Sequence, residues 1–100
     1  MAKEKLKMAA DVCSYVDEKK NEIHLEICIP GVKKQAIHLK VRDDSFSLFA
    51  PREDFDYVAA AAFCCPVKPK SAKASYQDGM LKVNLKLKDP MEGAHAVAIH

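Results

Sequence analysis

The most regular alternation in the chain is Glu22 to Ile29, EIHLEICI, where Ile23, Leu25, Ile27 and Ile29 alternate with His24, Glu26 and Cys28. A period of two collects one residue set on one side of an extended chain, so the segment predicts a strand with one dry face. Pro30-Gly31 ends it, because proline removes a ladder donor and glycine accepts positive φ. Ile37, Leu39 and Val41 then alternate with His38, Lys40 and Arg42 in a second half-buried strand. Asp43-Asp44 turns the chain, and Phe46 and Leu48 alternate with serines in a third strand that runs to Pro51.

Beyond the charged stretch Pro51 to Asp56, the residues from Tyr57 to Val67, YVAAAAFCCPV, are almost all apolar or small. Four consecutive alanines favour a helix by propensity, whereas the bounding proline and the flanking short strands favour a strand, which is expected here. Pro66 and Pro69 mark a connection, after which Ala72 to Gln77 reads as a strand leading into Asp78-Gly79. An Asp-Gly pair between extended segments signals a two-residue hairpin, since both residues tolerate the positive φ of a type I′ turn. The return strand, MLKVNLKLK, sets Leu81, Val83, Leu85 and Leu87 against Lys82, Asn84, Lys86 and Lys88.

A further strand near Asp11 to Val16 brings the total to about seven short strands with turn signals every ~8–12 residues. That is the pattern of an all-β, immunoglobulin-like antiparallel β-sandwich. The sandwich is expected over residues 11–88, with a loose arm or short helix over 1–10 and a tail over 89–100.

Composition agrees with one domain. The 100 residues are 49% hydrophobic, enough for a core without metal or disulfide. Lys+Arg at 16 against Asp+Glu at 14 leaves +2, with the signs interleaved and no long basic run apart from the alternating lysines near Lys82 to Lys88, so nothing argues for nucleic acid. The opening MAKEKLKMAADV lacks the apolar stretch of a secretory signal, and no window approaches the ~20 apolar residues of a membrane span. A cytoplasmic protein without membrane attachment is expected. Cys13, Cys28, Cys64 and Cys65 include no C-x-x-C pair and are read as reduced, buried packing residues. A thiol switch at Cys64 or Cys65 lacks a flanking charge that would lower the thiol pKa.

Candidate chemistry is sparse. His24 and Cys28 share the outward face of one strand and His38 faces outward on the next, a set of donors that zinc accepts. Residues i and i+4 on a strand stand about 13 Å apart, however, too far to share an ion without a neighbouring strand. His95 and His100 lie in the tail, where they are expected to be solvated. There is no nucleophile–base pair and no glycine-rich phosphate loop, with three glycines in all. Neither an enzyme nor a cofactor is expected.

Ala74-Ser75-Tyr76-Gln77-Asp78-Gly79-Met80-Leu81 resembles the A-x-x-x-n-G-v-L signature of α-crystallin domains, and Ala74, Asp78, Gly79 and Leu81 are the matching positions. Ile29-Pro30-Gly31-Val32-Lys33-Lys34 followed by Ile37 is similar to the P-G-v-k-k-x-x-I stretch of archaeal, bacterial and plant members. The resemblance covers about Asp11 to Lys88. It implies an ATP-independent small heat-shock-type chaperone, a holdase that binds exposed apolar segments of partly unfolded client proteins and forms a homo-dimer or small homo-oligomer. The alternative is a non-catalytic adaptor sandwich that binds one folded partner, such as an ATPase or an assembly protein.

The resemblance also implies two surfaces. Val97-Ala98-Ile99 resembles the I/V-x-I/V motif with which the family docks into a neighbour's groove, and the groove positions are Leu39, Val41, Ala72 and Ala74. Archaeal and plant members carry a long loop that exchanges a strand between dimer partners. Here Pro51 to Asp56 reach at most roughly 20 Å, too little to donate a strand and return. A dimer is therefore expected to use the apolar run instead, at Tyr57, Ala60, Ala62 and Phe63.

Overall fold

A computed structural model describes residues 6–88 and 95–100. Among them eight strands form two four-stranded sheets: β1 (Leu6–Ala9), β2 (Asp11–Asp17), β3 (Glu22–Cys28), β4 (His38–Val41), β5 (Ser45–Pro51), β6 (Phe55–Ala62), β7 (Val67–Gln77) and β8 (Met80–Leu87). One sheet has the order β1-β6-β5-β4 and the other β2-β3-β8-β7. The expected sandwich is present.

The core comes from the alternating strands. Ile23, Leu25 and Ile27 of β3 and Leu81, Val83, Leu85 and Leu87 of β8 are buried beneath Phe46, Leu48 and Ala50 of β5. β3 and β8 pair along their length, Ile23 opposite Leu85 and Ile27 opposite Leu81, so their dry faces coincide. Burying one such side chain contributes about 1.5–3 kcal/mol. No polar or charged residue is buried among the described residues. Register is thereby fixed, because a slip of one residue would turn every lysine of β8 into the core.

Three expectations are corrected. Part of the expected N-terminal arm is a strand: β1 pairs in parallel with β6, Leu6 opposite Phe55 and Ala9 opposite Val58, so the sandwich is not wholly antiparallel. The free backbone of the β6 edge supplies the reason, since even a charged four-residue segment can satisfy it. The Pro66–Pro69 connection is largely the start of β7. That strand pairs Val67 with Leu87 and Lys68 with Lys86, breaks register, and resumes at Lys73 opposite Asn84. Pro69 falls inside the break of an edge strand, where a missing donor costs little. The Ser71 hydroxyl bridges the gap, accepting from the Lys86 N–H at 2.8 Å and donating to the Lys68 carbonyl at 2.6 Å.

The third correction is that all four cysteines are exposed. Cys13 and Cys28 take the outward parity of β2 and β3, and β6 ends at Ala62, which leaves Cys64 and Cys65 in a bend. The three donors weighed for zinc are divided between the sheets. His24 and Cys28 lie on one sheet, whereas His38 lies on the other, against Phe49 with ring centroids 6.2 Å apart.

The Asp78-Gly79 turn forms as read. Asp78 has φ 53° and Gly79 φ 79°, with Gln77 opposite Met80 across a two-residue loop.

Candidate functional site: two clefts between the sheets

β4 and β7 are edge strands of different sheets, and the gap between them is a groove of about 490 Å³. Its walls are Ile37, Leu39 and Val41 on one side and Ala72, Ala74 and Tyr76 on the other, with Leu81 between and Lys34 at the rim. The sequence explains the space. Ala74 stands opposite buried Val83 and Tyr76 opposite buried Leu81, so the inward parity of β7 carries two alanines where large residues would fill the layer. Leu39 and Val41 therefore remain half-buried, although their alternation is as regular as that of β3.

Leu39, Val41, Ala72 and Ala74, assigned to a groove from the sequence, thus line one cavity. Val97 and Ile99 are 78% and 96% exposed, so they are not seated in it. The tail residues that link them to β8, 89–94, lie outside the described residues.

The hairpin signature and the Pro-Gly stretch meet at one end of this groove. The Ile29 N–H donates to the Gly79 carbonyl at 2.8 Å, and the Tyr76 hydroxyl donates to the Ile29 carbonyl at 2.9 Å. Gly31, with φ 82°, supplies the positive φ that a Pro-Gly turn needs at its third residue, and the Arg52 guanidinium covers it while donating to the Pro30 carbonyl at 3.1 Å.

The opposite side of the sandwich carries a second cleft of about 490 Å³, lined by Val12, Ser14 and Val16 of β2, Phe46 of β5, and Ala61, Ala62, Phe63 and Cys64. Sequence reasoning missed it. The signal was the alternation of Val12, Ser14 and Val16, which places a small polar residue between two valines on the inward side of an edge strand.

The four residues proposed for a dimer surface do not share a face. Tyr57 and Phe63 pack against the core, Phe63 beside Phe46 at 5.8 Å between centroids and Tyr57 edge-on to Phe55 at 4.9 Å. Ala60 and Ala62 are exposed on the outer side. The β6 edge is partly covered: Val58 accepts from the Ala10 N–H at 2.9 Å, and β1 pairing ends there. Alternate residues of a strand direct their backbone groups to the same side, so Ala60 and Ala62 present N–H and C=O along the same edge. No described strand pairs with them on that side. Between β5 and β6 the connection is a tight hairpin, closed by the Arg52 N–H donating to the Phe55 carbonyl at 2.7 Å.

The outer face of the other sheet is polar and ordered. His24 stacks on Tyr15 at 5.0 Å, its Nδ1 hydrogen-bonds the Asn84 side-chain oxygen, and Nε2 lies 3.5 Å from Glu22, which also approaches Lys86. His24 is thus committed to side-chain packing. Among the described residues, no group of three His, Cys, Asp or Glu side chains is placed to hold a metal, and no helix is long and apolar enough to cross a membrane.

No protein-family model matches the sequence, and no curated protein does. Solved structures do match in fold. Heat shock protein 16.0 from Schizosaccharomyces pombe superposes with a TM-score of 0.74 at 12% identity, covering 94% of this chain and 77% of that one. HSP18.5 from E. histolytica gives 0.72 at 15% identity, covering 92% and 97%. A small heat-shock protein from Xylella fastidiosa, described as having a distinct high order structure, gives 0.68 at 13% identity, covering 91% and 94%. The chain therefore has the fold of the small heat-shock proteins, an α-crystallin-type sandwich.

Proposed function

We propose that this protein is an ATP-independent holdase that captures extended apolar segments of partly unfolded proteins in the groove between β4 and β7. The observation that carries the reading is that an apolar groove lies open between two sheet edges, on a fold otherwise found in small heat-shock proteins. An extended segment can place alternate side chains between Leu39, Val41, Ala72 and Ala74 and add its backbone to a strand edge, which needs no chemistry.

A second copy's Val97-Ala98-Ile99 is the occupant in the resting assembly. Val97 and Ile99 have the spacing that points both side chains the same way, and both are exposed. Each contributes roughly 1.5–3 kcal/mol if fully buried, less the entropy of ordering the tail, so single docking is weak and several copies must bind together. Clients then compete with the tail for one groove. The dimer forms through the end of the β6 edge at Ala60 and Ala62, which pairs with no other described strand on that side, since the tight β5–β6 hairpin leaves no strand to exchange.

The adaptor reading keeps one observation in its favour: β1 occupies the first half of the β6 edge and shortens the surface left for self-pairing. Light scattering from a heat-labile client separates the two. A holdase suppresses aggregation at near-stoichiometric ratios, and an adaptor leaves the scattering unchanged.

A further inference from the structure

Cys64 and Cys65 are neighbours in sequence, exposed, and held in a bend whose two ends are pinned. The Phe63 N–H donates to the Asp44 carbonyl and the Val67 N–H to the Asp43 carbonyl, each at 2.8 Å, and the Pro66 carbonyl accepts from the Lys88 N–H at 2.9 Å. Lys88 also reaches the Asp43 carboxylate at 3.7 Å. Two thiols are therefore presented to solvent from a backbone fixed on both sides. The neighbouring Cys64, through a hydrogen bond first and charge repulsion second, pushes the Cys65 thiol above its ordinary pKa.

Two chemistries suit paired thiols, and geometry chooses between them. A disulfide needs Cα atoms about 4.4–6.8 Å apart, whereas neighbours joined by a trans peptide are about 3.8 Å apart, so direct oxidation would strain this bend. Bridging both sulfurs through a third atom removes the strain, because the sulfurs no longer bond to each other.

We propose that Cys64 and Cys65 form a bidentate capture site for monosubstituted trivalent arsenic. An arsine oxide condenses with the two thiols: both S–H bonds and the As=O bond break, two As–S bonds form, one water leaves, and arsenic remains trivalent. Cys64 borders the second cleft beside Phe63 and Phe46, which gives an aryl group on the arsenic an apolar seat. The other two cysteines are arranged differently. Cys28 lies 4.0 Å from the Met80 sulfur, and Cys13, opposite Glu26, is its diagonal neighbour at about 7 Å, too far for a compact chelate.

The test treats the full chain with one equivalent of phenylarsine oxide, then with excess glutathione, and reads the intact mass. One arsenical per chain should survive the monothiol, because release requires both As–S bonds to exchange before either re-forms, and a dithiol should remove it. Cys64→Ser and Cys65→Ser should each lose the glutathione-resistant adduct, while Cys13→Ser combined with Cys28→Ser keeps it. An adduct that glutathione strips from the wild-type chain, or that persists in Cys64→Ser, would overturn the assignment. The cysteines are exposed, so the serine variants are expected to keep the wild-type melting temperature.

Discussion

The Tyr76 hydroxyl donates a 2.9 Å hydrogen bond to the Ile29 carbonyl, joining the hairpin strand to the residue before the Pro-Gly turn across 47 positions of sequence. Ile29 is fully buried, so its carbonyl loses water on folding and depends on protein donors. Tyr76→Phe should retain the fold and lose about 1 kcal/mol, a typical net value for one such bond. Urea unfolding of the two proteins measures it, and identical midpoints would show that this bond adds nothing.

Gly79→Val should cost more. A β-branched residue resists the φ of 79°, and a Cβ there would stand 3.0 Å from the Pro30 Cα, which is backbone and cannot swing aside. A loss of roughly 2–4 kcal/mol is expected from strain and contact together. An unchanged melting temperature would show that the turn is not held as described.

How much of this was legible beforehand differs by residue. The dry faces of β3 and β8 followed from strict alternation, and Asp78-Gly79 from turn chemistry, because each is a local property of its own segment. The four groove positions came from resemblance alone; no local pattern marks Ala72 or Ala74 as lining a cavity, since that depends on β4 lying across from β7. β1 was illegible for a related reason. Leu6 to Ala9 carry only weak alternation, and their pairing depends on an edge that β6 presents from far along the chain. The cysteines misled because hydrophobic character predicts burial only on average, whereas parity places Cys13 and Cys28 outward and the end of β6 releases the other two.

Ala60→Glu with Ala62→Glu tests the self-association surface. Both side chains are exposed, so the charges should leave the folded domain's melting temperature nearly unchanged. Like charges brought face to face across a β6–β6 pairing should leave a monomer in native mass measurements. An unaltered native mass would place the contact elsewhere.

Val97→Gly with Ile99→Gly removes the two exposed side chains of the tail motif without touching the core. Any assembly above the dimer should shrink to the dimer, with thermal unfolding of the sandwich nearly unchanged. Equal native masses across a range of protein concentrations would show that the tail does not link subunits.

The central claim, that the β4–β7 groove holds apolar segments of unfolding proteins, is tested most directly by light scattering from a heat-labile client. Wild-type protein is compared with the double variant Leu39→Glu, Ala74→Glu. Both positions line the groove and neither is fully buried, so the variant should fold while its groove refuses apolar side chains. The account predicts that wild-type protein suppresses scattering at near-stoichiometric ratios and that the folded variant does not. Suppression by the variant equal to that of the wild type, or no suppression by the wild type, would contradict it.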